Sequence, residues 1–212
     1  MKKTFLLAVV ALCISALSLN AQNDPKSTSI LNALSAKTKT YTSIKADFTW
    51  TVERSDKTKT TEKGSIVTKG AKYKLSIPGH VIYSDGKAIW DFIADINEVQ
   101  INDAEEEGED ALNPSTIFTI YEKGYKHKFD SEANGIQIIN LYPLNPDKKK
   151  FHTIKLYINK AKKQISQVKI LMNNGNKTTY AITKFTVNET IADSYFTFDA
   201  AKHPGVSVED LR

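Results

Sequence analysis

From Lys69 to Phe92 the chain reads KGAKYKLSIPGHVIYSDGKAIWDF, and the spacing of its apolar residues constrains the fold more than any other feature. Tyr73, Leu75 and Ile77 alternate with Lys72, Lys74 and Ser76. Successive side chains of a strand point to opposite faces, so this period of two predicts a half-buried strand. Pro78-Gly79 turns the chain into a short strand from His80 to Tyr83. Ser84-Asp85-Gly86 turns it again, Gly86 supplying positive φ and Asp85 a side-chain acceptor for the turn backbone. Lys87 to Phe92 returns as a further strand in which Trp90 and Phe92 share a face. Adjacent strands with one greasy side must cover something dry, either a solid core or a hole that takes an apolar ligand.

The same period recurs on both sides of this stretch. From Ser43 to Arg54, Ile44, Ala46, Phe48, Trp50 and Val52 alternate with Lys45, Asp47, Thr49, Thr51 and Glu53, the signature of an antiparallel strand with one wet face. Thr61 to Lys69 returns from a polar hairpin with Ile66 and Val67 at its centre, and Ile93 to Asn102 carries further strand ends. Tyr125 to Ser131, Gly135 to Tyr142, Phe151 to Asn159, Gln164 to Asn173 and Thr178 to Val187 are five more predicted strands; Asn174-Gly175-Asn176 between the last two is a strong hairpin signal. Ser194 to Phe198 and His203 to Val208 read as short edge segments. Consecutive hairpins imply a mainly β (α+β) fold with a single large antiparallel sheet, twisted, that either curls on itself or stays open.

Two segments break the β pattern. Pro25 to Thr40 has candidate N-caps in Asp24 and Ser27 and an apolar stripe of Ile30, Leu31 and Leu34, which predicts an amphipathic helix packed on the sheet. After an acidic run from Asp103 to Asp110, Asn113-Pro114 opens a second predicted helix carrying Ile117, Phe118, Ile120 and Tyr121 and stopped by Gly124. This segment reads as a buried connector or as a movable lid.

The first residues read as an address. Met1-Lys2-Lys3 is basic, Thr4 to Leu19 is apolar, and Ala21 offers a small residue before Gln22. A signal peptide at residues 1–21, cleaved near Ala21, would leave one domain at residues 22–212 in the periplasm. The only cysteine, Cys13, falls within that leader, which leaves no thiol for a disulfide, a metal or nucleophilic attack. The formal charge of +5 over 212 residues includes Lys2 and Lys3, and the lysines are spread along strands, so nucleic acid binding has no support. His80, His127, His152 and His203 stand singly, and no nucleophile elbow or phosphate loop is present. Asp85 and Asp91 flank Trp90, but the turn explains the first and the second faces away from the tryptophan. No cofactor, metal or catalytic residue is assigned, and a non-enzymatic binding role is expected.

Several stretches in this order resemble the LolA family, the periplasmic carriers of outer-membrane lipoproteins. They are Ala46-Asp47-Phe48 after the first helix, Gly64 to Lys69, Lys72-Tyr73-Lys74-Leu75, Ser84-Asp85-Gly86-Lys87 with Trp90, Asn113-Pro114, Leu141 with Pro143, Phe196-Thr197-Phe198, and Pro204 to Val208. The resemblance implies an open, incomplete antiparallel β-barrel with helices covering its hydrophobic concave face. It implies triacylated lipoproteins as cargo, an inner-membrane ABC transporter of the Lol type as donor, an outer-membrane acceptor, and a monomeric carrier. Phe48, Trp50, Ile66, Tyr73, Leu75, Ile77, Trp90, Phe92, Ile117, Phe118 and Tyr121 are the candidate lining of the acyl-chain cavity. Leu31, Leu34, Lys69 and Pro114 are the candidate lid and gating residues. Lys69-Gly70 stands where the family usually has Arg-Pro, replacing a planar fork by a point charge, and Leu75 stands at the family's usual tryptophan. An alternative within the same fold is an envelope lipid sensor or assembly module that does not shuttle lipoproteins.

Overall fold

The computed structural model describes residues 24–104 and 116–212. The predicted leader, the acidic run from residue 105 onwards and Asn113-Pro114 lie outside the described residues. Helix α1 spans Pro25–Thr38, and its N-terminus is set by Asp24, whose carboxylate accepts from the backbone N–H groups of Lys26 and Ser27. Pro25 fills the first helical position, where a missing N–H costs nothing.

Twelve strands follow: β1 Ile44–Glu53, β2 Lys59–Lys69, β3 Lys72–Ile77, β4 His80–Ser84, β5 Ala88–Ile93, β6 Glu98–Asp103, β7 Tyr125–Ala133, β8 Ile136–Pro143, β9 Phe151–Asn159, β10 Gln164–Met172, β11 Lys177–Val187 and β12 Ser207–Asp210. They form one sheet in the order β12-β6-β5-β4-β3-β2-β1-β11-β10-β9-β8-β7. Two meanders therefore meet at β1 and β11, and the sheet is not closed, with β7 and β12 at its edges. The expectation of an all-antiparallel sheet needs one correction, because β12 runs parallel to β6.

The turns form for the reasons the sequence offers. Asp85 Oδ1 accepts from the N–H groups of Lys87 and Ala88 at 2.8 and 2.9 Å. Asn134 and Gly135 both take positive φ between β7 and β8, as a two-residue hairpin demands.

Register assigns every side chain to a face. Phe48 lies opposite Ile182, Tyr180 opposite Val168, Val168 opposite Leu156, and Leu156 opposite Ile139. These residues share one side of the sheet, the inner face. Over β7–β10 that face is a filled core, in which Ile139, Leu141, Ile154 and Leu156 are fully buried and Leu31 and Leu34 of α1 pack down on them. A second core gathers Ile44, Ala46, Phe48, Ile66 and Phe118 around β1 and β2.

The outer face carries a core of its own. Ser194 to Phe198 is not an edge strand: Asp193–Phe196 forms a 3-10 turn with Phe196 fully buried. Phe198 stacks on Phe92 at 5.5 Å, and His203 lies 4.3 Å from Phe92 between ring centroids. The chain between β11 and β12 thus straps the outer side of β3–β6. Lys69 Nζ donates to the Ile191 carbonyl at 2.8 Å and pairs with Asp193 at 2.9 Å, while Lys72 reaches the other carboxylate oxygen at 2.7 Å. These two ammonium groups, Lys72 first, hold the Asp193 carboxyl down at about 2.

The expected second helix is not seen among the described residues. After residue 116 the chain makes tight turns, ending in a 3-10 turn at Ile120–Glu122. Tyr121 enters the core under α1, and burial pushes its hydroxyl up to about 12. Glu122 accepts from Ser35 Oγ and pairs with Lys39 at 3.2 Å, tying this segment to the helix.

Candidate functional site

The two inner-face cores adjoin at β11, where Tyr180 and Ile182 pack against both. An apolar cleft of about 120 Å³ lies at this seam, lined by Ala46, Phe48, Ile66, Leu75, Ile117, Phe118, Ile165, Val168, Tyr180 and Ile182. No charged side chain is in the wall. Its sole polar side-chain atom is the Tyr180 hydroxyl, and burial raises that group's pKa, keeping it neutral.

Strand geometry builds the wall. Ala46 and Phe48 project from β1, with Ile66 opposite Ala46 on β2 and Leu75 opposite Ile66 on β3. On the other side of β1, a register shift at Asp47/Phe48 sets Lys184 against Asp47 and Ile182 against Phe48, leaving Thr183 as the extra residue of a bulge. The shift keeps Tyr180 and Ile182 on the same face as Phe185 despite the change of parity between them. Phe118 closes one end, edge-on to Phe185 at 5.6 Å and 82°. At the other end Tyr180 meets Phe48 edge-on at 5.9 Å and lies parallel to Trp50 at 6.3 Å.

One position makes room for this arrangement. Gly64 faces Phe48 across the β1–β2 ladder, and a Cβ on it would lie 2.6 Å from Phe48 Cζ. The phenyl ring occupies the space that any other residue's side chain would need.

Five of the eleven predicted lining residues meet here: Phe48, Ile66, Leu75, Ile117 and Phe118. Trp50 and Ile77 pack beside them in the same core without lining the cleft. Tyr73 shares the inner face and is only 2 % exposed, but sits beyond the cleft. Tyr121 belongs to the core under α1. Trp90 and Phe92 lie on the outer face: Leu75 pairs with Ile82 and Ile82 with Asp91, so the inner-facing residues of β5 are Ile89, Asp91 and Ile93.

Among the lid candidates, Leu31 and Leu34 are locked into the filled core. Lys69 points to the outer face and holds the C-terminal strap, away from α1 and Phe118. Pro114 lies outside the described residues. Sequence reasoning missed Ala46, Ile165, Val168, Tyr180 and Ile182 as lining residues. Ala46 stands two residues before Phe48 on β1 itself; the other four come to Phe48 through the pairing of β1 with β11, which carries β10 beside it, and no local hairpin signal announces the β1–β11 pairing.

A cleft of this volume is below the roughly 300–1,000 Å³ of ordinary ligand pockets. The wall can hold a short stretch of hydrocarbon as it stands, and a longer one only if a side moves. Ile117 and Phe118 are the part of the wall that does not belong to the sheet.

The sequence matches the family described as outer membrane lipoprotein carrier protein LolA over residues 39–199. The chain belongs to the LolA family. Every strand that lines the cleft falls within the LolA match. No curated protein matches this sequence. Among solved structures, an uncharacterized conserved protein from Thermus thermophilus superposes with a TM-score of 0.59 at 11% identity, covering 87% of this chain and 99% of that one. A putative outer membrane lipoprotein-sorting protein domain from Vibrio parahaemolyticus gives 0.48 at 10% identity, over 80% of this chain and 95% of that one. A LolA superfamily protein from Nitrosomonas europaea gives 0.47 at 11% identity, over 81% and 97%. At 11% identity the likeness to the Thermus thermophilus protein is one of fold.

LolA-family proteins are periplasmic carrier and binding proteins. Among the described residues no helix is long and apolar enough to cross a membrane, and no group of three or more His, Cys, Asp or Glu side chains could hold a metal ion.

Proposed function

We propose that this LolA-family chain is a periplasmic carrier that shields lipoprotein acyl chains in the inner-face cleft and moves them from the inner to the outer membrane. The observation that carries the reading is the cleft wall, ten residues with no charge and a single hydroxyl, at the seam between two cores. Such a wall recognises hydrocarbon by removing it from water, at about 0.8 kcal/mol for each buried methylene. No polar motif is needed, which agrees with a sequence that offers none. Residues 1–21 direct export, residues 22–212 form the carrier, an ABC transporter of the Lol type loads it, and an acceptor at the outer membrane unloads it.

Loading moves Ile117 and Phe118 outwards. The sheet side of the wall is fixed by ladder hydrogen bonds, and α1 is held by Leu31 and Leu34, so the short segment between them yields. Lipoproteins have bulky acyl groups, and the cleft grows along the seam as this segment lifts.

The test is native mass spectrometry of protein purified gently from periplasm, joined to photo-crosslinking from single positions. A mass excess equal to an acylated molecule, with crosslinks from Ile182 and none from Trp90 on the outer face, is the expected result. A clean apo mass together with no binding of a fluorescent acyl probe would refute the reading. Acyl binding without transfer of lipoprotein between membranes would instead leave the lipid-sensor role.

A further inference from the structure

The cleft has a polar atom beside one end that nothing in the fold uses. Trp50 follows Phe48 by two residues on β1, pairs with Tyr180 across the ladder and stacks on it with ring planes 9° apart. Its indole Nε1 is buried with no hydrogen-bond partner. Buried tryptophan N–H groups ordinarily find an acceptor, and an unpaired one forfeits its hydration for nothing. The stacked ring cannot swing out to water without leaving Tyr180.

Position makes this orphan donor informative. The opposite end of the cleft is stopped by Phe118 against Phe185, beside Ala46. Beyond Trp50 the same face continues as Val52, with Glu62 opposite Trp50 and Thr60 opposite Val52; Glu62 and Thr60 are exposed. The inner face of β1 therefore runs from an aromatic stop, past the cleft, to a wet rim, and Trp50 stands just outside the cleft on the way to that rim. A hydrocarbon tail laid against Phe118 would bring the first polar atom of its head group to Trp50, with the rest of the head in water.

We propose that Trp50 Nε1–H donates to the carbonyl oxygen of an ester-linked acyl chain, so that the site selects acyl esters over free fatty acids and over alkyl ethers. The inference rests on the carrier reading and adds the chemical class of the group at the mouth. An ester carbonyl accepts one hydrogen bond and carries no charge, so bringing it to a wall without cations costs little. A carboxylate would enter the same wall with no counter-charge and with Glu62 across the strand.

The experiment measures displacement of a fluorescent acyl probe by two matched ligands, 1-palmitoylglycerol and 1-O-hexadecylglycerol, on the wild-type protein and on Trp50→Phe. Wild type should bind the ester about 3- to 10-fold more tightly than the ether, the range set by one net hydrogen bond. Trp50→Phe keeps an aromatic ring on Tyr180 and should bind both, with the ratio near one. Repeating the pair on a palmitoylated S-glyceryl-cysteine peptide distinguishes the source: tighter binding of the peptide ester assigns a lipoprotein, tighter binding of the glyceride a free lipid. Equal affinity of wild type for ester and ether, or a ratio unchanged in Trp50→Phe, overturns the proposal and leaves the carrier reading standing. No binding of either ligand to wild type, from detergent-free solution, removes both.

Discussion

Gly64 and Phe48 allow a calculation that joins stability to the cleft. A methyl group at residue 64 would lie 2.6 and 2.7 Å from Phe48 Cζ and Cε2, and 3.0 Å from the Ser76 carbonyl oxygen. Carbon atoms in contact settle at about 3.5–4.0 Å, so the phenyl ring must retreat by about 1 Å. The Ser76 oxygen belongs to the β3 backbone and bars relief on that side, so the ring moves into the space of the cleft. Overpacking of this kind costs about 1–3 kcal/mol. Replacing a strand glycine returns about 0.5–1 kcal/mol through the unfolded chain. The net loss for Gly64→Ala is about 0.5–2 kcal/mol, and since 1 kcal/mol moves Tm by about 2–4 °C in a domain this size, Tm should fall by about 1–8 °C. Calorimetry on Gly64→Ala, Phe48→Leu and the double variant checks this, with acyl-probe affinity measured alongside. In the Phe48→Leu background the alanine should be neutral or stabilising, and in the wild-type background it should weaken probe binding. An alanine that stabilises the wild type, or that adds to Phe48→Leu without coupling, would refute the argument.

Two further predictions concern the rest of the molecule. Leu156→Ala, in the filled core with no exposed surface, should cost about 2–5 kcal/mol and leave acyl-probe affinity unchanged, whereas Leu75→Ala, at the cleft, should cost less and alter affinity; equal losses of stability would contradict the division into filled core and cleft. Asp193 has a folded pKa of about 2, below the usual aspartate value near 4, so its contribution is present above about pH 4 and is lost as the pH falls towards 2. Asp193→Asn should flatten that part of the acid-unfolding curve, and an unchanged curve would show that the Lys69 and Lys72 pairs do not hold the strap.

Strand identity was legible because alternation is a local property. β1, β3 and β9 lie within a residue or two of their predicted bounds, and the Asn134-Gly135 turn sits where its φ preferences place it. What alternation cannot say is which face of a strand looks inward when both faces are dry. Trp90 and Phe92 share a face as expected, but that face is covered by Phe198 and His203 from the far end of the chain. The shortfall at the cleft has a similar cause. Tyr180 and Ile182 reach Phe48 through a ladder between distant strands, with a bulge that alters the parity, and neither leaves a mark in the adjacent sequence. The family resemblance predicts a lid contact for Lys69, which instead belongs to the strap, since a lysine at a strand end can reach either face. The N-cap signal at Asn113-Pro114 and the apolar cluster after it predict a helix; the described part is instead a set of tight turns that places Tyr121 under α1.

The seam between β1 and β11 also sets the order in which the molecule can assemble. β1 is complete at Glu53, while its partner begins only at Lys177. Each meander can form by closing short loops, but the ladder between them waits for the most distant residues in the sheet, and pairings of that kind form slowly. Until then β1 presents a ten-residue edge with Phe48 and Trp50 on it, the kind of edge that recruits a wrong strand. A chain stopped before Lys177 would contain every strand of the first meander and no means of joining it to the second. The greasy wall would be left in two halves, each exposed to its neighbours.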